Sequence, residues 1–269
     1  MSASEGRRLL VRRPPPPLAV ALGAVGLAFF LVPLLGLIER APWSDLWQLL
    51  SEPSVREALR LSVVCSVSAT VLSVVFGVPL AWMLARGDFP GRRLARALVV
   101  LPMVLPPVVG GVALLFALGR RGLVGQYLDR WFDVQLPFTT WGAILAETFV
   151  AMPFLVITVE AALRGVDRRY EDAAATLGAG RWTAFRRVTL PFIAPSLAAG
   201  TALAWARALG EFGATITFAG NFPGRTQTMP LAVFVALESN PGAAIVLSLI
   251  LLVVSLVVLA ALRDRWLPG

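Results

Sequence analysis

The 269-residue chain has no histidine, no lysine and a single cysteine. Without imidazole, zinc chemistry through histidine is excluded. Cys65 stands alone in an apolar run and builds no disulfide framework. There is no G-x-x-x-x-G-K-S/T phosphate loop, so the chain lacks the usual means of holding ATP. There is no G-x-S-x-G nucleophile elbow either. Charge is scarce, at 15% of residues, where soluble domains carry about 25%. Hydrophobic residues make up 57% and the mean hydropathy is +0.76. That excludes disorder, which needs low hydrophobicity and high charge. A membrane protein is implied.

Long apolar runs are what the chain has instead. Six are long enough to cross about 30 Å of hydrocarbon as helices: Leu18 to Ile38, Leu61 to Ala85, Ala97 to Gly119, Leu136 to Val159, Val188 to Ala206 and Ser239 to Leu262. They must be helical, because backbone groups in lipid have to pair within their own segment. No internal sequence repeat is visible.

All 24 basic residues are arginine, the net charge is +8 and the isoelectric point is about 11.3. Such a charge could serve nucleic-acid binding, but the arginines fall in short blocks between apolar runs, which is how topology is encoded. With six spans, one side receives Arg7, Arg8, Arg12, Arg13, Arg86, Arg92, Arg93, Arg96, Arg164, Arg168, Arg169, Arg181, Arg186, Arg187, Arg263 and Arg265. The other side receives Arg40, Arg56, Arg60, Arg120, Arg121, Arg130 and Arg225. The richer side is cytoplasmic, so both termini are expected there. The first run is longer than a signal peptide's apolar core and lacks an A-x-A-like site before Glu39, so an uncleaved span is expected. Pro14 to Pro17 read as a stiff polyproline linker before it.

The most informative segment is RGVDRRYEDAAATLGAGRWTAFRRVTLP, Arg164 to Pro191. Asp167 is placed to N-cap a helix starting at Arg168. Tyr170, Ala173, Ala174 and Leu177 fall at i, i+3, i+4 and i+7, forming one apolar face. Gly178 sits where a left-handed C′ residue ends a helix. Trp182 and Phe185, with Arg181, Arg186 and Arg187 around them, suit a headgroup boundary. Pro191 and Pro195 open the fifth span. A basic loop that merely sets topology would explain the charge but not the spacing.

That spacing runs Asp172-Ala173-Ala174, three residues, Gly178, nine residues, Val188-Thr189-Leu190-Pro191. It resembles the EAA loop (EAA, three residues, G, nine residues, I-x-L-P) of permeases in binding-protein-dependent ABC importers. Asp172 replaces the family's Glu and Val188 its Ile. Three further stretches are similar to the molybdate, sulfate and tungstate permeases: Leu101 to Gly125, Thr176 to Trp182, and Ala202 to Pro230. The GRRG turn at Gly119 to Gly122 and FPGRTQTMP lean towards molybdate.

The resemblance implies an all-α type I importer permease with six transmembrane helices. Its parts would be a basic tail (1–17), an additional first helix (18–38), a permease domain (54–262) with its coupling loop at 164–190, and a tail (263–269) that adds no soluble regulatory domain. It implies a homodimer, separate cytoplasmic ATPase subunits and an oxyanion-binding protein on the outer face. Tyr170, Glu171, Asp172, Ala173, Ala174, Leu177 and Gly178 would dock the ATPase. No cofactor and no metal are expected in this chain.

Ionisable groups inside apolar runs are costly and face a bundle interior or a wet cavity. Arg207 and Glu211 are such a pair, spaced i, i+4. Arg207 would lie about 18–24 Å along a helix opening between Pro191 and Pro195, past the midplane. The pair either neutralises itself or lines and gates an oxyanion path, with Gly210 and Gly213 permitting a break. Glu147 is a weaker candidate of the same kind. Glu160 lies near a cytoplasmic helix end and could reach the interface. Arg120, Arg121 and Asn221 fall in outer loops, open to solvent or to a binding protein. Asp129 and Asp133 could hold a metal by spacing, but solvated acids suit an outer loop better. A secondary transporter working without ATP is the competing class, since intramembrane acids could carry protons. An ATPase-docking loop has no place in it.

Overall fold

The computed structural model describes residues 16–266. Arg7, Arg8, Arg12, Arg13, Pro14, Pro15 and the last three residues of the C-terminal tail lie outside the described residues. The chain divides into two units, Met1–Ala41 and Pro42–Gly269. The first holds α1 (Pro17–Glu39), opened by extended Pro16 and by Pro17 in its first turn, with no buried residue. A helix apolar on all sides is one whose solvent is lipid.

The second unit begins with the short α2 (Leu46–Ser51) and the long α3 (Pro53–Arg86). Next come α4 (Arg92–Val104), α5 (Pro107–Leu118), the short α6 (Gly125–Phe132) in the following loop and α7 (Thr140–Gly165). The loop helix α8 (Arg168–Thr176) follows, then α9 (Arg181–Ala184), a π-helical turn over Phe185–Thr189, and α10 (Leu190–Leu209). The chain ends with α11 (Gly213–Phe218), α12 (Met229–Ser239) and α13 (Pro241–Trp266). Five helical stretches among the described residues are long and apolar enough to span: α1, α3, α7, α9 through α10, and α13.

The third span departs from the expected single helix. Leu105 and Pro106 are both extended, and they split it into α4 and α5. The reason is local. A residue before proline is pushed out of the helical region, and Pro106-Pro107 applies that twice in succession. Pro107 then sits in the first turn of α5, where its missing N–H costs nothing. The fifth span departs too, since it does not open at the prolines but runs on from Arg181. Pro191 has no N–H for the carbonyl of Arg187 and crowds it. The turn before it widens, and the N–H of Leu190 donates to the carbonyl of Phe185.

The core lies where α3, α7 and α10 meet, around Leu84, Leu155, Val159, Leu163 and Ile193. Lipid offers no hydrophobic drive between helices, so close packing at small residues holds them. Gly77 of α3 sits against Leu155 and Val156, and Gly200 of α10 against Leu155 and Thr158. A Cβ added at either glycine would come within 3.3 Å of those side chains.

Candidate functional site

Two places gather the residues singled out from the sequence. The first is α8. The Asp167 carboxylate accepts a hydrogen bond from the N–H of Arg169 at 3.0 Å, capping the helix. At the other end Gly178 has φ +82°. The N–H of Gly178 donates to Ala175 and that of Ala179 to Ala174, the paired bonds of a Schellman close. Tyr170, Ala173 and Leu177 are exposed, Leu177 at 89%, and Ala174 is half-buried. A small apolar face therefore stands free on a short, capped helix, and exposed Asp172 lies beside it.

Glu171 does not belong to that face. Its carboxylate turns back to the membrane helices, accepting from Arg86 at 3.1 Å and from the Thr189 hydroxyl at 2.8 Å. The same Arg86 guanidinium donates to the carbonyl of Val166, and Arg168 donates to the carbonyl of Arg86. The Tyr170 ring packs on Phe192 at 5.4 Å between centroids. Together these contacts tie α8 to the end of α3 and to the start of α10. Arg86 is 8% exposed, so removing its partner would strand a buried charge. Neither Arg86 nor Thr189 was singled out from sequence. An arginine at the end of an apolar run looks like any topology marker, and Thr189 looks like filler inside V-T-L-P.

Glu160 is buried as well, near the end of α7. It accepts from Arg96 through Nε at 2.9 Å and pairs with Arg164 at 2.9 Å. These pairings gather Arg86, Arg96, Arg164 and Glu171 at one end of the bundle, as the block pattern required. Thr140 donates to the carbonyl of Arg225 at the other end.

The second place is the break between α10 and α11. Glu211 is 1% exposed. One carboxylate oxygen pairs with Arg207 at 2.5 Å, and the other accepts from the N–H of Ala214 at 2.7 Å. The charge thus both answers Arg207 and caps the helix that restarts after the break. The break abuts α5, whose own start is the break in the third span. A Cβ on Gly213 would lie 2.8 Å from the Pro107 side chain, and one on Gly111 would lie 2.8 Å from the Ala214 carbonyl. Only glycine at both positions lets these two interrupted helices meet. Gly210 closes α10 at φ −89°, a conformation open to any residue.

Glu147 of α7 is buried as well, and one of its carboxylate oxygens has no hydrogen-bond partner. It lies about 10 Å from the start of α7 at 1.5 Å per residue. Two residues before Arg207, the Trp205 indole N–H donates to the Ser66 hydroxyl at 3.1 Å.

The residues singled out in the loops at the other end are scattered by comparison. Arg120 donates to Asp129 at 3.0 Å, and Gln135 donates to the other oxygen of the same carboxylate at 2.9 Å. Those two bonds hold the Asp129 carboxyl below its ordinary value, the Gln135 bond contributing most. Asp133 ends α6 with φ +53°. The two acids share no further ligand, and no cluster able to hold a metal occurs among the described residues. Arg121 is exposed, and Asn221 is half-buried with an unpartnered side-chain oxygen.

This arrangement, a helix-capped knob beside a bundle of interrupted spans, has known counterparts. The family model for the binding-protein-dependent transport system inner membrane component matches residues 77–267. The chain belongs to this family. The molybdenum transport system permease protein ModB of Mycobacterium tuberculosis is 46% identical over 240 residues, covering 89% of this chain and 90% of the relative. The protein of that name in Escherichia coli is 43% identical, covering 78% of this chain and 92% of the relative. The sulfate transport system permease protein CysT of Escherichia coli is 37% identical, covering 93% and 91%. Among solved structures, a bacterial ABC transporter involved in the import of the acidic polysaccharide alginate aligns with a TM-score of 0.69 at 19% identity, over 92% of this chain and 94% of that one. That likeness carries the fold. The chain is a multi-pass permease of the cell membrane, built as an importer permease.

Proposed function

We propose that this permease carries molybdate into the cytoplasm as a homodimer, fed by an outer oxyanion-binding protein and driven by separate ATPase subunits. The observation that carries the substrate is the 46% identity over nearly the whole chain to molybdenum permeases, against 37% to a sulfate permease. Both termini lie in the cytoplasm, on the arginine-rich side. The first helix, outside the family match at 77–267, is an addition to the permease domain.

The α8 face (Tyr170, Ala173, Ala174 and Leu177, with Asp172 alongside) is the part that enters a groove on the ATPase. Helix-in-groove recognition needs a small apolar anchor face. Glu171, Arg86 and Thr189 then hand the motion of α8 to α3 and α10. The far end of α10 is the Glu211 break, so one rigid helix joins the docking knob to Arg207, Gly210, Glu211 and Gly213. These four residues gate the path near its outer end. A tetrahedral dianion bound too tightly would be trapped. An arginine already answered by Glu211 offers only weak attraction, which suits passage. Arg120, Arg121 and Asn221 are the residues placed to meet the binding protein.

The test is uptake into vesicles carrying the reconstituted complex, with molybdate, tungstate and sulfate in competition. Molybdate uptake that requires ATP and resists excess sulfate is the expected result. Sulfate competing equally would reassign the substrate. Uptake undiminished without the ATPase subunits would place the chain among secondary transporters.

A further inference from the structure

The π-helical turn builds something that docking and gating leave unused. Trp182, Thr183, Arg186 and Arg187 line a cavity of about 280 Å³ at the start of the fifth span. Arg186 and Arg187 lie within the widened turn itself, Phe185–Thr189, which runs on into α10. Trp182 is 71% exposed and stacks on Phe185, ring centroids 5.7 Å apart. Arg181, Arg186 and Arg187 form no ion pair with any carboxylate among the described residues. By contrast, Arg86, Arg96, Arg164 and Arg207 in the same bundle are all answered by carboxylates.

Two arginines, Arg186 and Arg187, line one open depression and can offer the paired N–H donors through which arginine binds the oxygens of a phosphate. An exposed indole beside them belongs at the level where headgroup meets acyl chain. A freely soluble oxyanion needs the first feature but has no use for the second. We propose that this cavity binds the phosphate of an anionic phospholipid headgroup, holding the base of α10 at the membrane surface. The inference rests on the membrane setting of the chain but not on which side is cytoplasmic.

The permease–ATPase complex in nanodiscs of phosphatidylcholine tests it. A minor fraction of brominated phosphatidylglycerol is added in one arm and brominated phosphatidylcholine in the other. The contribution of Trp182 is isolated by subtracting the Trp182→Phe complex. Each arginine near an anionic surface enriches such a lipid roughly fivefold, so quenching of Trp182 by the phosphatidylglycerol probe should exceed that by the zwitterionic probe several-fold. The preference should disappear in the Arg186→Gln/Arg187→Gln complex and survive in Arg93→Gln, an exposed arginine elsewhere on the same end.

Equal quenching by the two lipids, as when the ATPase covers the cavity, overturns the proposal. So does a preference unchanged by the double substitution. Binding of inorganic phosphate or molybdate to the complex in lipid-free detergent, lost in Arg186→Gln/Arg187→Gln and unaffected by added phosphatidylglycerol, also overturns it, in favour of a free oxyanion. Both leaflets of a nanodisc carry the same lipid. A negative result therefore refutes the headgroup site while leaving orientation and transport untouched.

Discussion

The two ends of the α9–α10 helix are built on opposite rules. At its base, α8 is exposed, polar and held by ionic contacts: Glu171 to Arg86 and Thr189, Asp167 to its own backbone. At its tip, the α10–α11 break is buried and held by glycines that let backbones touch, with a single ion pair inside. The base can move as a knob on a tether. The tip can move only if two packed, interrupted helices shift together. A glycine has different meanings in the two places. Gly178 is required for its backbone angle and has open space around it, whereas Gly111 and Gly213 have ordinary angles and no space.

That contrast can be broken most sharply at the tip. Gly111→Leu would drive a side chain into Thr217 and the Ala214 backbone. Overpacking of this kind costs about 1–3 kcal/mol or more. The expected outcome is a large loss of folded protein, read by thermal unfolding of the detergent-solubilised permease. A variant as stable as the parent would show that the two breaks do not need to meet.

Gly178→Val should do the reverse. Nothing lies within 4 Å of its Cβ, so the bundle stays intact. Forcing a β-branched residue to φ +82° costs about 1–2 kcal/mol within the loop. Insertion and yield should hold while substrate-stimulated ATP hydrolysis falls at least several-fold. Normal stimulation would remove α8 as the coupling element.

Glu171→Gln and Asp172→Asn separate tether from face. Glu171→Gln weakens the answer to a buried arginine and should lower stability by about 1–2 kcal/mol, read by thermal unfolding, reducing uptake without abolishing ATPase binding. Asp172→Asn, exposed, should leave melting unchanged and weaken co-purification of the ATPase. If the two phenotypes were exchanged, the inward orientation of Glu171 would be wrong.

The smallest expected effect lies in the loop that carries α6. Asp129 has its carboxyl held low in the folded chain by Gln135 and Arg120. Its contribution is therefore full above the ordinary carboxylate value near pH 4 and is lost as pH falls through the lower, folded value. Protection of the α6 amides, taken relative to their intrinsic exchange rate at each pH, should fall on acidification, and Asp129→Asn should remove that pH dependence.

The α8 knob was legible because its signals are local. An N-cap at Asp167, a 3.6-residue apolar period and a C′ glycine all lie within one short segment, and the structure forms each of them. The i, i+4 pairing of Arg207 with Glu211 was legible for the same reason. The inward turn of Glu171 was not, because its partners Arg86 and Thr189 lie far away along the chain. The pairing of Glu160 with Arg96 was not legible for a similar reason, since Arg96 comes from another helix. The split third span was local and still went unread. A hydropathy run counts the side chains of Leu105, Pro106 and Pro107 as apolar and ignores what two consecutive prolines do to the backbone.

By itself, the sequence determined that this chain lives in lipid and that one loop carries a capped helix. Each of those depends on composition or on neighbours a few residues apart. Only the tertiary structure decided which acids face inward and that the broken third and fifth spans touch through Gly111 and Gly213. Small residues carry no directional signal, so where two backbones come close is set by the packing of whole helices.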